Sequence, residues 1–431
     1  MFQTIKNAWK IPDLRKKILF TLLMLVIFRF GSFIPVPFLS ADAISAFMSN
    51  MGEDSLLNLM NMFSGGAFSQ ATIFAMSISP YINASIIMQL LTVAIPALER
   101  ISKEGEEGRK KIAQWSRYVT VILALVQAWG LYMALNTNLL NTPEGIPDWL
   151  IMVTIILTFT AGTAFLMWLG EQINDKGIGN GISMLIFAGI VSRGPELVRT
   201  IMSYMDTGKL HFVGVIVLVV VAILVIGFVV FMNNAERRIP VQYSKRVVGR
   251  KMYGGQSTHI PIKVAAAGVM PIIFAMSIMA FPSTIAGFFG KTAANTTGFW
   301  GFILNIMSST HWFYAILYFL LILFFTYFYT AIQYNPIEMA NNMKKNGGFI
   351  PGIRPGKTTS DYISKSMTKI TLAGAIFLGI IAVLPILMSQ FAGINISIGG
   401  TSLLIMVGVA LETVKQMESQ MVMRHYKGFL E

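Results

Sequence analysis

Long apolar segments recur along the entire chain, separated by shorter charged or glycine- and proline-containing stretches. A helix of about twenty apolar residues crosses the ~30 Å hydrocarbon core of a bilayer, with its backbone polar groups paired internally. Charged residues make up 12% of the 431 positions, about half the share found in soluble proteins. We therefore predict an all-α integral membrane protein with about ten transmembrane helices. The predicted helices cover residues 18–34, 71–91, 113–136, 149–170, 183–203, 211–232, 264–289, 312–332, 368–389 and 397–414.

Lys and Arg are concentrated in alternate loops between these helices. They cluster in residues 92–117, 233–263 and 333–369, whereas residues 35–70, 137–148 and 390–396 contain neither. Because basic loops are retained in the cytoplasm, the asymmetry predicts a multi-pass membrane protein with both termini cytoplasmic. Basic loops also account for the net charge of +13 without a surface for nucleic acid.

The residue types that support enzymatic or metal chemistry are absent or poorly spaced. There are no cysteines, which excludes thiolate metal sites and Cys nucleophiles. The four histidines lack metal-ligand spacing, and no phosphate-binding Gly-Lys-Ser/Thr loop is present. Residues 177–181 are glycine-rich, but they lie between two predicted helices, where a tight turn is the better explanation. We predict no enzymatic activity and no cofactor.

Ion-coupled transporters normally carry an ionisable residue near the middle of the membrane. Here only Arg29 lies clearly within a predicted helix, and it is close enough to the outer end for its guanidinium to reach the interface. The pattern favours a passive conduit. The main alternative is an inverted-repeat secondary transporter, which would need a buried acid that the sequence does not show. A membrane-embedded assembly factor without a pore is a second alternative.

Predicted helices two and seven share a short pattern. Residues 78–84 and 269–275 both read β-branched, any residue, Pro, any residue, Ile, any residue, Ala. Each helix is the second of a set of five, and an odd number of spans inverts one set relative to the other. We therefore predict two inverted five-helix halves, residues 1–203 and 211–431. Matched proline-containing helices in such halves indicate a functional path at their interface.

A short amphipathic run precedes the second predicted helix. Residues 56–63 are too few to span the membrane, and Gly65 and Gly66 follow them. Glycines allow the chain to fold back sharply. A re-entrant segment and an interfacial helix on the outer surface both agree with this pattern.

Several ordered motifs resemble those of one family over essentially the full chain. They are residues 28–35, 61–66, 103–106, 108–111, 167–173, 177–183, 256–259, 351–356 and 399–405. The family is SecY/Sec61-alpha, the channel-forming subunits of protein translocons. The resemblance implies two inverted halves around an hourglass pore whose waist is a ring of apolar side chains. In this sequence the ring corresponds to Ile78, Ile82, Ile182, Ile186, Ile273 and Ile405.

The resemblance also implies a plug and a lateral gate. The plug would be the short run at about 56–68, with Leu56, Leu57, Leu59, Met60, Met62 and Phe63 as its apolar residues and Gly65 and Gly66 as its hinge. Helices two and seven would form the gate, through which signal sequences and membrane segments reach lipid. Interhelical hydrogen bonds, each worth about 1 kcal/mol, would hold the gate shut. The candidate gate residues are Asn83, Ser85, Gln89 and Gln127.

Partners follow from the same resemblance. The loops at 233–263 and 333–369 would bind the SecA ATPase or the translating ribosome, with Arg250, Lys251, Arg354 and Lys357 as docking residues. Basic side chains suit an acidic protein surface or ribosomal RNA phosphates. The small membrane subunits SecE and SecG would complete the complex. The implied function is translocation of unfolded polypeptides that carry signal sequences across the plasma (inner) membrane, with lateral release of membrane segments into membrane lipid.

Overall fold

The structure is a computed structural model. It describes residues 2–42, 44–45, 61, 64–135, 146–208, 211–243, 246–248, 251–253, 257–265, 267–288, 298–307, 311–392 and 400–427. The described part is mostly helical. In the first half of the chain the helices are α1 Phe2–Lys10, α2 Pro12–Gly31, α3 Ser79–Ala94, α4 Pro96–Lys103, α5 Glu106–Leu135, α6 Asp148–Lys176, α7 Gly181–Ser192 and α8 Gly194–Asp206.

The second half contains the remaining helices and all of the described strands. The helices are α9 Phe212–Asn234, α10 Met270–Phe288, α11 Phe299–Ile306, α12 Trp312–Gln333, α13 Pro336–Lys345, α14 Lys357–Ala392 and α15 Gly400–Lys427. The strands are β1 Glu236–Tyr243, β2 Arg246–Val248, β3 Lys251–Tyr253, β4 Ser257–Lys263 and β5 Gly348–Phe349.

Five stretches of described helix are long and apolar enough to cross a membrane, and the bent pair α3 and α4 would make six. The two helices of that pair meet at 101°. The structure therefore supports a multi-pass membrane protein, while the ten-helix arrangement remains a prediction. The five stretches are Asp148–Lys176, Gly181–Asp206, Phe212–Asn234, Trp312–Lys345 and Lys357–Leu384.

Several predicted helices have different limits in the structure, and prolines account for two of the differences. The predicted helix at 71–91 begins only at Ser79, because Pro80 occupies its first turn and the preceding residues form turns, with φ of 53° at Ser77. The predicted helix at 183–203 is divided at Arg193 into α7 and α8. Pro195, which has no backbone N–H to donate, occupies the first turn of α8.

The prediction of an all-α fold is incomplete, because the two long basic loops contain strands. In the first loop β1 pairs antiparallel with β4, and it also pairs with β5 from the second loop, giving the order β4-β1-β5. Ile239 and Val241 face inward from β1 between exposed neighbours, as expected for a half-buried strand. They share a core with Ile262, Met343, Ile350, Ile363 and Met367. The loops thus form one folded unit.

Candidate functional site

The structure brings the six isoleucines of the predicted ring into contact with one hydrophobic cluster. Five of them are buried and one is half-buried. The first pair lies one helical turn apart, and the Ile82 N–H donates to the Ile78 carbonyl (3.0 Å). The set comprises Ile78 just before α3, Ile82 in α3, Ile182 (half-buried) and Ile186 in α7, Ile273 in α10 and Ile405 in α15. An apolar cluster of this kind offers ions no compensation for lost hydration.

Two glycines set the distance between α6 and the start of α7. A Cβ on Gly170 would lie 2.6 Å from the Cδ1 atom of Ile182, and one on Gly181 would overlap the Gly170 carbonyl oxygen. Larger residues at either position would force α7 away from α6. Close glycine packing therefore positions the two isoleucines that α7 contributes to the cluster.

The turn between α6 and α7 is held by its backbone N–H groups. The expected tight turn is present, with φ of 89° at Gly179, a left-handed conformation that favours glycine. Three side chains accept its hydrogen bonds, and we call this set the turn junction. Ile178 donates to Thr21 Oγ1 of α2 (3.0 Å), Gly179 to Gln416 Oε1 of α15 (3.0 Å) and Gly181 to Asn174 Oδ1 of α6 (2.7 Å).

The predicted hinge glycines form a compact turn. Gly65 and Gly66 have φ of 67° and 90°. The Asn61 carbonyl accepts from the Gly66 N–H (2.9 Å), and the Asn61 side-chain oxygen accepts from the Ser69 N–H (3.0 Å). A change at Asn61 would therefore disturb the hinge. The apolar plug residues Leu56, Leu57, Leu59, Met60, Met62 and Phe63 lie outside the described residues.

Arg29 binds this hinge. Its Nη1 atom donates to the Gly65 carbonyl (3.3 Å) and to Ser192 Oγ at the end of α7 (3.0 Å). Its guanidinium carbon lies 5.5 Å from the ring centroid of Phe33, within the range of a cation–π contact. The sequence predicts that the Arg29 side chain reaches the outer interface, whereas in the structure its guanidinium contacts Gly65 and Ser192. We call Arg29, Gly65 and Ser192 the hinge junction.

A protein-family model matches most of this chain. The SecY model matches residues 72–414. Two curated relatives, each a protein translocase subunit SecY, are 47% identical in Halalkalibacterium halodurans and 48% identical in Bacillus subtilis, over 100% of this chain and 100% of each relative.

The chain belongs to the SecY family.

Solved structures of SecY and Sec61 channels share the fold of this chain. A protein-conducting channel has a TM-score of 0.65 at 21% identity, with 97% of each chain covered. A SecY whose plug domain stabilises the closed state has a TM-score of 0.63 at 20% identity, and canine Sec61 in a ribosome–channel complex has 0.62 at 19%, each with the same coverage. At these identities the likeness establishes the fold alone.

In this SecY-family chain the predicted gate residues are only partly brought together. Asn83, Ser85 and Gln89 lie on α3, and Gln127 lies on α5, which packs against both α3 and α10. Gln89 Nε2 donates to Ser85 Oγ at 3.5 Å, a weak bond within one helix. Among described residues, Gln89 Oε1 is buried without a partner and no hydrogen bond joins α3 to Gln127.

The predicted docking residues are only partly described. Arg354 and Lys357 are exposed, and the Arg354 carbonyl accepts from Thr359 Oγ1 (2.9 Å), which fixes the backbone before α14. Lys251 lies in β3 of the β2–β3 hairpin. Arg250 lies outside the described residues. Two exposed cations therefore flank a turn that is tied to the start of α14.

Sequence reasoning missed the residues that hold backbone groups, namely Thr21, Asn174, Ser192 and Gln416. Each is a common polar residue whose partner is a backbone N–H of the turn between α6 and α7 or, for Ser192, the side chain of Arg29. A single sequence contains no signal for such pairs, because any Thr, Ser, Asn or Gln in a membrane helix can bond its own helix instead. Only the glycines beside them are conspicuous in the sequence.

Proposed function

We propose that this chain is a protein-conducting channel, through which unfolded secretory polypeptides cross the plasma membrane and from which membrane segments pass laterally into lipid. The observation that carries the proposal is the gathering of isoleucines from several helices in one apolar cluster. Full-length relatives named as protein translocase subunits support it. A channel of this type is not an enzyme and performs no covalent chemistry.

The proposed architecture has ten transmembrane helices in two inverted halves, residues 1–203 and 211–431, with both termini in the cytoplasm. The distribution of Lys and Arg supports this orientation. The proline pattern supports the repeat, because Pro80 and Pro271 each occupy the first turn of their helix, in α3 and α10.

The isoleucine ring would seal the waist of the pore. Branched apolar side chains exclude water and ions from a narrow passage, yet they move aside by rotamer changes when a polypeptide enters. Residues 56–68 would act as the plug, with Gly65 and Gly66 as its hinge. The plug reported for a SecY structure in the closed state supports this part.

The lateral gate would open between the two halves at α3 and α10. Contact between α10 and α5 supports this position, because it joins helices of different halves. The uncharged amide and hydroxyl groups of Asn83, Ser85, Gln89 and Gln127 would provide weak bonds that an arriving signal sequence can replace.

The two basic loops would receive the motors. Their shared sheet supports one docking surface rather than two separate linkers, because β5 of the second loop pairs with β1 of the first. Arg250, Lys251, Arg354 and Lys357 would contact SecA or the ribosome, including ribosomal RNA. The ribosome-bound canine Sec61 supports the ribosome as a partner. SecE and SecG would be the small membrane subunits.

Crosslinking tests the pore directly, since the chain has no cysteines. Single cysteines replace the six ring isoleucines, and a secretory chain is arrested halfway through the channel. We expect crosslinks at most of the six positions. Cysteines at Ile87, Val191 and Ile278, which are exposed on three of the same helices, serve as matched controls and should remain unreacted. Reaction of the controls alone would contradict the channel and direct attention to solute transport.

A further inference from the structure

The hinge junction joins three parts of the chain that are distant in sequence. Arg29 lies near the end of α2, and Ser192 ends α7. Arg29 Nη1 donates to the Gly65 carbonyl and to Ser192 Oγ, which lies 3.5 Å from the same carbonyl. The Ser192 hydroxyl donates its proton to the Gly189 carbonyl (2.6 Å), one turn earlier in α7. The backbone of the hinge is therefore tied to two helices at once.

Arg29 has no carboxylate partner among the described residues. Its positive charge is compensated instead by the Gly65 carbonyl, the Ser192 hydroxyl and the face of Phe33. Charge-assisted hydrogen bonds are about twice as strong as neutral ones. An arginine in this apolar setting therefore loses much of its stabilisation if the Gly65 carbonyl moves away.

Gly65 fits against α7 only because it lacks a side chain. A Cβ at this position would lie 2.6 Å from Ser192 Oγ and 2.9 Å from the Cα and carbonyl oxygen of Gly189. The adjacent Gly66 also has a positive φ, but a Cβ there would meet nothing within 4 Å. The close approach thus belongs to one of the two glycines.

We propose that Arg29 and Ser192 form a latch that positions the Gly65 hinge against α7 and so keeps the channel shut until a polypeptide enters. The inference rests on the proposed function, since it assigns a trigger to the proposed plug. Arg29 acts as a positioning residue: it holds the hinge and does not line the pore.

The latch also links the hinge to the pore ring. Ser192 lies at the end of the helix that carries Ile182 and Ile186. A polypeptide that pushes these isoleucines outward shifts α7 relative to α2 and separates Ser192 from Arg29. Release of the Gly65 carbonyl then follows from widening of the pore, so the hinge opens only when the ring is occupied.

Ion leakage through the idle channel in proteoliposomes tests the latch. Arg29→Gln removes a charge-assisted hydrogen bond, so its leakage should be about fivefold or more above that of the unmodified channel. Ser192→Ala should raise leakage by a smaller factor. Arg29→Lys keeps the charge without the planar fork, so its leakage should lie between those of Arg29 and Arg29→Gln. Arg193→Gln is the matched control, because Arg193 bonds Glu196 (3.0 Å) and lies beside Ser192; its leakage should be unchanged.

A second background separates positioning from general damage. In a variant that lacks residues 56–60, which keeps Asn61 and its hydrogen bonds to the hinge, leakage should already be high, and Arg29→Gln should add nothing further. If Arg29→Gln multiplies leakage equally in both backgrounds, its role is structural and the latch is wrong. Ser192→Ala provides the same comparison with the arginine intact if Arg29→Gln gives no folded protein.

Two further outcomes distinguish this inference from the function on which it rests. Leakage that rises on removal of residues 56–60 but not with Arg29→Gln or Ser192→Ala would overturn the latch and leave the channel intact. Leakage unchanged even by the removal would contradict the plug itself, and the latch with it.

Discussion

The turn junction and the hinge junction both place a glycine turn against helix backbone, but they hold it in opposite ways. At the turn junction, backbone N–H groups donate to neutral side chains on α2, α6 and α15. At the hinge junction, a single carbonyl accepts from the Arg29 cation, which also donates to the Ser192 hydroxyl on α7. Several independent bonds hold the first turn, whereas the second depends on two side chains from two helices. We infer that the first is a fixed point of the fold and the second is releasable.

The largest expected effect is that of Gly181→Ala at the turn junction. The new Cβ would overlap the Gly170 carbonyl oxygen, a backbone atom that cannot rotate away, so α6 and α7 must separate. Overpacking of this kind costs about 3 kcal/mol of unfolding free energy. Chemical denaturation of the purified protein in detergent measures the loss.

Gly194→Ala is the matched control for Gly181→Ala. Gly194 begins the next helix, and a Cβ there meets nothing within 4 Å. Its stability should be unchanged or slightly raised, because alanine restricts the unfolded chain more than glycine does. If Gly181→Ala lost no more stability than Gly194→Ala, α6 and α7 would tolerate separation, and the turn junction would not be a fixed point.

The second prediction removes one acceptor from the turn junction. Thr21→Val keeps the shape of the side chain but leaves the N–H of Ile178 unpaired, and both residues are buried. An unsatisfied buried donor costs about 2 kcal/mol, again measured by denaturation. Thr154→Val is the control, because the Thr154 hydroxyl is exposed and bonds only the Leu150 carbonyl of its own helix. A loss as large in the control would mean that the Thr21 acceptor contributes little.

Hydropathy predicted the two most continuous apolar helices to within two residues. Residues 211–232 correspond to Phe212–Asn234, and residues 312–332 correspond to Trp312–Gln333. These segments have one dominant signal, apolar length: Gly214 lies inside the first helix without ending it, and Pro336 comes only after the second helix has ended. Where prolines lie within the predicted ranges, the prediction fails: the helix at 71–91 begins late, beside Pro80, and the helix at 183–203 is divided before Pro195.

The strands were not predictable from local pattern, because their partners are far apart in the chain. Gln242 of β1 pairs with Phe349 of β5. The sequence of the two loops that contain them indicates only charged connections between helices. The alternation around Ile239 and Val241 is short, and nothing local identifies the second loop as its partner. Non-local pairing is specified by packing of the shared core rather than by propensity.

In the candidate site, too, some residues could be predicted from the sequence and others could not. Resemblance named the six ring isoleucines, and they all contact one cluster in the structure, although their role in the pore remains a proposal. The hinge glycines could be identified from the sequence as a turn. Arg29 could be noticed as a rare intramembrane charge, but its partner is a backbone carbonyl 36 positions away, which no residue pattern encodes.

The third prediction compares the two glycines of the hinge. Gly65→Ala and Gly66→Ala both impose a positive φ on a residue with a Cβ, which costs about 1 kcal/mol. Only Gly65→Ala adds the close contacts with Ser192 and Gly189, so we expect it to destabilise the closed channel by about 1 kcal/mol more. Single-channel recording measures the closed-state population. Equal effects would show that the hinge does not need its close approach to α7.

The smallest expected effect concerns an ion pair between α5 and α6. Arg117 Nε and Glu171 Oε1 lie 2.5 Å apart, but the two side chains are 48% and 26% exposed, so solvent screens their attraction. A double-mutant cycle with Arg117→Gln and Glu171→Gln should give a coupling of about 0.5 kcal/mol. The coupling should decrease as salt rises, because added ions screen exposed charges. A salt-independent coupling larger than the loss of stability in Thr21→Val would contradict this ranking, because an exposed ion pair would then contribute more than a neutral bond to the buried turn.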